Sequence, residues 1–505
     1  MRSSVFLCSA SVAVVWSASA LATSSALSLV RPFDVRGGAT SHVSTNSNNK
    51  TSKNKLARDQ VTSQKIGSSP ARSSINSKSA LLVSPPAVGD LRGGDASKGG
   101  TASIPNEVFN LVKSIVGAGV LSLPYGVAVF GNAPSALIPA LALVALMGSL
   151  SAYTFGLIGR VCQRTNTSSY AAAWDKTVGT SSSWLIAFSC FIDCFAGNLS
   201  YSMILADTFV NLLASAGVAV TRTQSLLGVT GAVLLPLCLL KNLSSLAPFS
   251  LVGIIGMLYT TLAMGFRYFG GTYAPEGIYY TTQLATPIFG TAGAAAALTP
   301  KALILACMLS NAFIAHFLAP NLLADLKNNT MRRFHTMIAW SFGTAVAIYG
   351  AITAFGFLTF GAASNGLILN NYAATDVVAS LSRIAVAVSI TCSYPLLFVG
   401  TRDGILDLFK VDESKRSQAG LLNKVTLALL GVVTVAASQL TDLGLVASVG
   451  GATFGTALVF VYPVIMFLKS QTKRTKETLP AATIGVLGVA MGAIGTVLSL
   501  RGAEL

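Results

Sequence analysis

The sequence predicts an all-α integral membrane protein, and three observations carry that prediction. Of 505 residues, 52% are hydrophobic and 10% are charged, where an ordinary soluble domain carries about 25% charged residues. The apolar residues gather into eleven runs of about 20, the length a helix needs to cross hydrocarbon. The basic excess, 34 Lys and Arg against 18 Asp and Glu, sits in an N-terminal tail and in alternate loops, as it does when a bilayer sorts the loops by charge.

The chain opens with Arg2, an apolar stretch from Val5 to Trp16, and small residues ending in Ala20-Leu21-Ala22. Residues 1–22 are therefore expected to be a signal peptide, too short to span. Residues 23–105 are rich in Ser, Thr, Asn, Gly and Pro, with eleven basic residues from Arg31 to Lys98 against four acidic ones. Such a segment has too few apolar groups to offset the entropy of ordering. It reads equally as a transit peptide or as a solvated linker. Its cations are dispersed and Phe33 is its only aromatic, so it lacks the clustered charge and stacking rings that nucleic acid requires.

A membrane domain is expected over 106–500. Its segments run roughly over 106–130, 134–158, 183–213, 225–240, 247–269, 299–323, 334–360, 375–400, 421–437, 442–468 and 479–500. One set of alternate loops collects 16 basic residues, from Arg160 to Lys476, and the other only Arg222, Arg267, Lys301 and Arg501. The rich side is the cytosol-equivalent face, and the tail enters from it. Six of the seven cysteines fall in or beside spans, as small buried hydrophobes do.

Two segments read as interrupted. Ile115-Val116-Gly117-Ala118-Gly119-Val120-Leu121 puts two glycines in mid-span with Pro124 beyond, where a continuous helix prefers Leu or Ala. Freed backbone groups at that depth survive only where they line a cavity or coordinate something, and a half-helix N-terminus favours a carboxylate. Small-residue packing between helices is the competing account. The sixth segment carries Ser310-Asn311-Ala312-Phe313-Ile314-Ala315-His316 before Pro320. Broken helices at matching places in two halves point to an inverted-repeat transporter with its site at the midplane. Gly117, Ala118, Gly119, Val120, Asn311 and Phe313 are thus candidate substrate-binding residues.

The stretch Asn110-Leu111-Val112-Lys113-Ser114-Ile115-Val116-Gly117-Ala118-Gly119-Val120-Leu121-Ser122-Leu123-Pro124-Tyr125 closely resembles the first helix of the amino acid/auxin permease family. The likeness continues around Tyr201, through His316-Phe317 and Asp325-Leu326, and in Cys392-Ser393-Tyr394-Pro395-Leu396 with Arg402. It covers about 106–500. The resemblance implies eleven helices in a LeuT-like arrangement, five plus an inverted five plus one, carrying amino acids by alternating access. His316-Phe317 with Asp325 looks most like the vacuolar, proton-coupled branches. It also makes Tyr201 a site-lining aromatic. An Asn at the position of Lys113 looks like a cation ligand in sodium-coupled relatives, together with hydroxyls matching Thr391 and Ser393.

An ionisable residue inside a span is costly and by default functional. Lys113, two or three turns into the membrane, either snorkels back to the basic face or supplies a fixed ammonium where relatives bind sodium. Asp193, deep in the third segment, is a candidate proton relay. His316 has an ordinary pKa near 6.5 that suits a proton switch, with a hydrogen-bonded structural histidine as the alternative. Asp207 is expected to be exposed near the outer end, and Arg383 to snorkel outward. Lys113, Asp193, His316, Thr391 and Ser393 form the candidate coupling set.

The expected function is secondary transport of amino acids, coupled to protons or independent of sodium, with amino acid, protons and the lipid bilayer as partners. The alternative is a membrane amino-acid sensor signalling through its tail. No phosphate-cradling Gly-rich loop, metal-spaced His/Cys set or nucleophile elbow is present, so the sequence suggests neither an enzyme nor a cofactor or metal. The tail chemistry and the loop charges together suggest a plastid envelope or a vacuolar or other endomembrane.

Overall fold

Glycine, proline and capping residues divide the chain into helices that one bilayer thickness does not always fit. The computed structural model describes residues 100–240, 249–280, 286–409, 411 and 419–502. The signal-peptide reading over 1–22 and the tail up to residue 99 lie outside the described residues. Residues 100–105, expected to belong to the tail, are part of the folded domain.

Helix α1 (Ile104–Ile115) starts where the Ser103 side chain accepts the Asn106 N–H and Pro105 fills the first turn. It stops at Val116, and a 3-10 turn over Ala118–Ser122 leads into α2 (Leu123–Ala128). The two halves are bent by 46°. Next come α3 (Leu137–Thr165), closed by Asn166 in the left-handed region, the short α4 (Tyr170–Thr177), and α5 (Ser183–Ser215). A Thr221/Gln224 capping box opens α6 (Arg222–Val229), which continues through a π turn over Thr230–Leu234 into α7 (Leu235–Cys238). Helix α8 (Phe249–Phe269) follows.

The sixth segment is also broken, into α9 (Ala302–Ala312) and α10 (Ala319–Asp325), with a 3-10 turn over His316–Leu318 between them. The chain continues through α11 (Met331–Phe360), α12 (Val377–Leu408), α13 (Ala419–Gln439), α14 (Leu443–Gly450), α15 (Tyr462–Lys469) and α16 (Thr478–Gly502). Two π turns, Gly451–Gly455 and Ala457–Val461, join α14 to α15. Among the described residues, eight helices are long and apolar enough to cross a membrane, and the bent α1–α2 pair makes nine.

The span formed by α14 and α15 is the most enclosed, with 94% of its apolar window buried against 28% for α5. It lies against α9 with almost no space: a Cβ on Gly451 would stand 1.8 Å from the Cys307 carbonyl oxygen. Small residues also bring α5 against α12, where Asn198 donates to Thr401 at 2.8 Å and the Ser202 and Tyr394 hydroxyls pair at 3.0 Å.

Ion pairs and carbonyl contacts close one end of the bundle. Asp376, fully buried, caps α12, binds Arg267 at 2.6 Å and accepts from the Tyr273 hydroxyl at 2.9 Å. Arg383 does not snorkel. It is 1% exposed and donates to the carbonyls of Leu369, Tyr372 and Ala373, because the loop before α12 folds back over it. Asp207 is likewise not an exposed outer group. It pairs with Arg222 at 2.6 Å and accepts from Asn370 at 3.2 Å. At the other end, Ala102 pairs in parallel with Leu326: its N–H donates to Asp325 and its carbonyl accepts from Lys327, both at 2.9 Å. This strap ties the start of α1 to the end of α10.

Gly451→Ala should lower the thermal unfolding midpoint of the detergent-purified protein, since overpacking of this kind costs about 1–3 kcal/mol. Gly450→Ala should leave it unchanged, because the nearest atom to its Cβ position is 3.9 Å away. Equal midpoints for the two variants would contradict the close approach of α14 to α9.

Candidate functional site

The break in the first helix is built by its own backbone. Val116 turns at φ −78°, ψ 79°, so the Gly117 N–H closes on the Ile115 carbonyl at 2.8 Å, and Gly117 itself is extended. The Ser122 hydroxyl then bonds the Gly119 carbonyl at 2.7 Å. Around this turn α1, α5, α8 and α12 enclose a cavity of about 30 Å³. Lys113, Val116 and Gly117 line it from the first helix, Tyr201 from α5, and Ser389 and Ser393 from α12. Gly253 and Met257 of α8 close it. That volume holds a water or two and no more, so an amino acid enters only if the lining helices move.

Four of the expected residues, Lys113, Gly117, Tyr201 and Ser393, therefore meet at one cavity. Thr391 does not line it and Ser389 does. The reason is helical geometry: residues four apart share a face, whereas residues two apart point away from each other. The Ser389/Ser393 spacing was present in the sequence and would have selected the right pair. A Cβ on Gly117 would stand 3.6 Å from the Tyr201 hydroxyl, and one on Gly119 would meet nothing within 4 Å. Val120 is fully buried.

In the sixth segment Asn311 is part-buried and packs against the turn from α14 into the π helix, where its N–H lies 3.3 Å from the Cβ position of Gly455. Phe313 is placed in the scaffold, not in the cavity lining. It is fully buried, with its ring 4.8 Å from that of Tyr349 and 6.2 Å from that of Phe342. His316 is fully buried against α3, its Nε2 3.0 Å from the Thr154 hydroxyl and 3.2 Å from the Ser151 carbonyl oxygen, with the Phe155 ring at its edge. Among the described residues its Nδ1 has no partner, which suits a neutral ring, since a second ring proton would find no acceptor there. Asp193 is half-buried in α5 between Cys190 and Cys194. Neither His316 nor Asp193 lines the cavity.

Tyr349 was not singled out in the sequence. Its hydroxyl lies 2.6 Å from the Ile115 carbonyl oxygen and 2.7 Å from that of Ala312, the last residues of α1 and α9. A tyrosine in the middle of an apolar run gives no local sign of such a role.

A broken first helix lining a cavity between packed spans, with a second break in the sixth segment, outlines a membrane transporter scaffold. Residues 100–503 match the family model described as transmembrane amino acid transporter protein. The chain belongs to that family. The Danio rerio protein that bears the name sodium-coupled neutral amino acid transporter 11 is 27% identical over 416 residues, covering 80% of this chain and 88% of its own. The Mus musculus protein of the same name is 24% identical, covering 80% and 86%. Amino acid transporter AVT6E of Arabidopsis thaliana is 22% identical over 431 residues, covering 80% and 84%. A crystal structure of a manganese transporter from Eremococcus coleocola shares the fold, with a TM-score of 0.52 at 12% identity over 82% of this chain and 90% of that one. The fold is LeuT-like, and the family consists of transporters, not enzymes.

Gly117→Ala should fold and keep uptake within about twofold of the parent, because its Cβ meets only an ordinary contact. Gly117→Leu fills the cavity and should abolish uptake in protein that is correctly folded and delivered. Normal transport kinetics in the leucine variant would remove the cavity from the mechanism.

Proposed function

We propose that this chain carries amino acids across its membrane by alternating access, through eleven spans arranged as five, an inverted five and one. The nine apolar spans, the bent α1–α2 pair among them, become eleven when α6–α7 and α8 are counted with them. Substrate binds against the unwound segment from Gly117 to Val120, with Tyr201 on one side and Asn311 at the matching break. The cavity is too small for substrate as it stands, so loading requires α1 to swing relative to α5 and α12. The family match supports the substrate class.

Transport is independent of sodium, and it responds to protons. The observation that carries this reading is the position of Lys113, which shares the cavity with two α12 hydroxyls, Ser389 and Ser393, in place of a neutral cation ligand. An ammonium there repels a sodium ion and occupies the space it would need. Sodium coupling belongs to the names of the Danio rerio and Mus musculus relatives. The family resemblance implies an Asn at the position of Lys113 in sodium-coupled relatives, and the sodium-independent reading rests on that difference. Because Asp193 and His316 do not line the cavity, proton coupling rests on Lys113 with the two serines as its neighbours.

Replacing sodium by choline at constant pH should leave uptake into proteoliposomes unchanged. Ser389→Ala should reduce uptake by up to about tenfold, the worth of one ordinary hydrogen bond, and Thr391→Val should not. Uptake that vanishes in choline would overturn the reading. The presequence-like tail and the basic inner loops support a plastid envelope over a vacuolar membrane. A fluorescent protein fused after residue 105 should accordingly mark plastids, and a reticular or secreted signal would exclude them.

A further inference from the structure

We propose that the Tyr349 hydroxyl is a positioning pin shared by the two helix breaks, which keeps hold of α9 while α1 is released. The inference rests on the alternating-access reading above and deepens it. Tyr349 is fully buried on α11, and its hydroxyl reaches the Ile115 carbonyl at 2.6 Å and the Ala312 carbonyl at 2.7 Å. Both distances are those of a full O–H···O hydrogen bond. A phenol has one proton to donate, so the two carbonyls must share it.

The sharing is unequal in its consequences. The Ile115 carbonyl keeps a donor when it leaves Tyr349, because the Gly117 N–H already reaches it at 2.8 Å. The Tyr349 ring, by contrast, lies 4.8 Å from that of Phe313, the residue after Ala312, so the phenol is packed with the α9 side of the pair. When α1 swings out, the proton passes wholly to Ala312, and neither half-helix end is left unsatisfied in hydrocarbon. When α1 returns, the proton is shared again and Gly117 is set back against the cavity. The pin thus makes release of α1 inexpensive and its return position specific.

Tyr349→Phe removes the hydroxyl and little else. Uptake at saturating substrate should fall about tenfold, the equivalent of one hydrogen bond, while the half-saturation concentration moves by less than about threefold. Amide hydrogen exchange in the purified protein should quicken over residues 113–119 and change less over 312–318. Phe342→Leu loosens the same ring stack without touching the hydroxyl, and should leave both measurements near the parental values. Parental uptake and exchange in Tyr349→Phe, or the same losses in Phe342→Leu, would overturn the pin. Absence of amino-acid uptake by the parent chain would instead refute the transport reading, and the exchange measurement would still decide the pin.

Discussion

A peptide carbonyl released in the middle of a bilayer has no water to accept from, and the whole central architecture answers to that constraint. The chain interrupts two spans at the same depth, after Ile115 and after Ala312, and so exposes two helix ends at once. One hydroxyl from α11 serves both. The γ turn at Val116, the serine bond to Gly119 and the π turns that press α14 and α15 against α9 are further ways of satisfying or shielding the backbone there. The breaks persist because the surrounding helices supply what hydrocarbon cannot.

Charge is handled in opposite ways at the two depths. Near the outer ends, Asp376, Asp207, Arg267 and Arg222 are paired, and Arg383 is ringed by carbonyls, so their burial locks the loop before α12 onto α5 and α8. Breaking such a buried pair leaves an uncompensated charge, which costs about 3–5 kcal/mol. Lys113 is placed differently, at the wall of a small cavity among hydroxyls. The paired charges hold the loop before α12 in place, while Lys113 lines the cavity.

One neighbour with a matching arrangement of helices is a manganese transporter at 12% identity, and that likeness concerns the fold alone. The same architecture serves different cargo because specificity belongs to the residues grafted on it. On the function proposed for this chain, those are the cavity residues of α1, α5 and α12 together with the Asn311 break.

The sequence by itself determined the class of protein, the approximate place of each apolar run and both helix breaks. These depend on composition, run length and the local effects of Gly117, Gly119, Pro124 and Pro320, which act within a few residues of themselves. It also named Lys113, Gly117, Tyr201 and Ser393 as candidates, partly through family likeness, and these four line one cavity. Only the tertiary structure decided that Ser389 and not Thr391 completes the cavity, that Phe313 and His316 pack into the scaffold, that Arg383 stays inside, and that Tyr349 joins the breaks. Those outcomes depend on which helix face meets which neighbour. No local pattern encodes that, because the partner residues, such as Thr154 for His316 or Ile115 for Tyr349, lie 162 and 234 positions away along the chain.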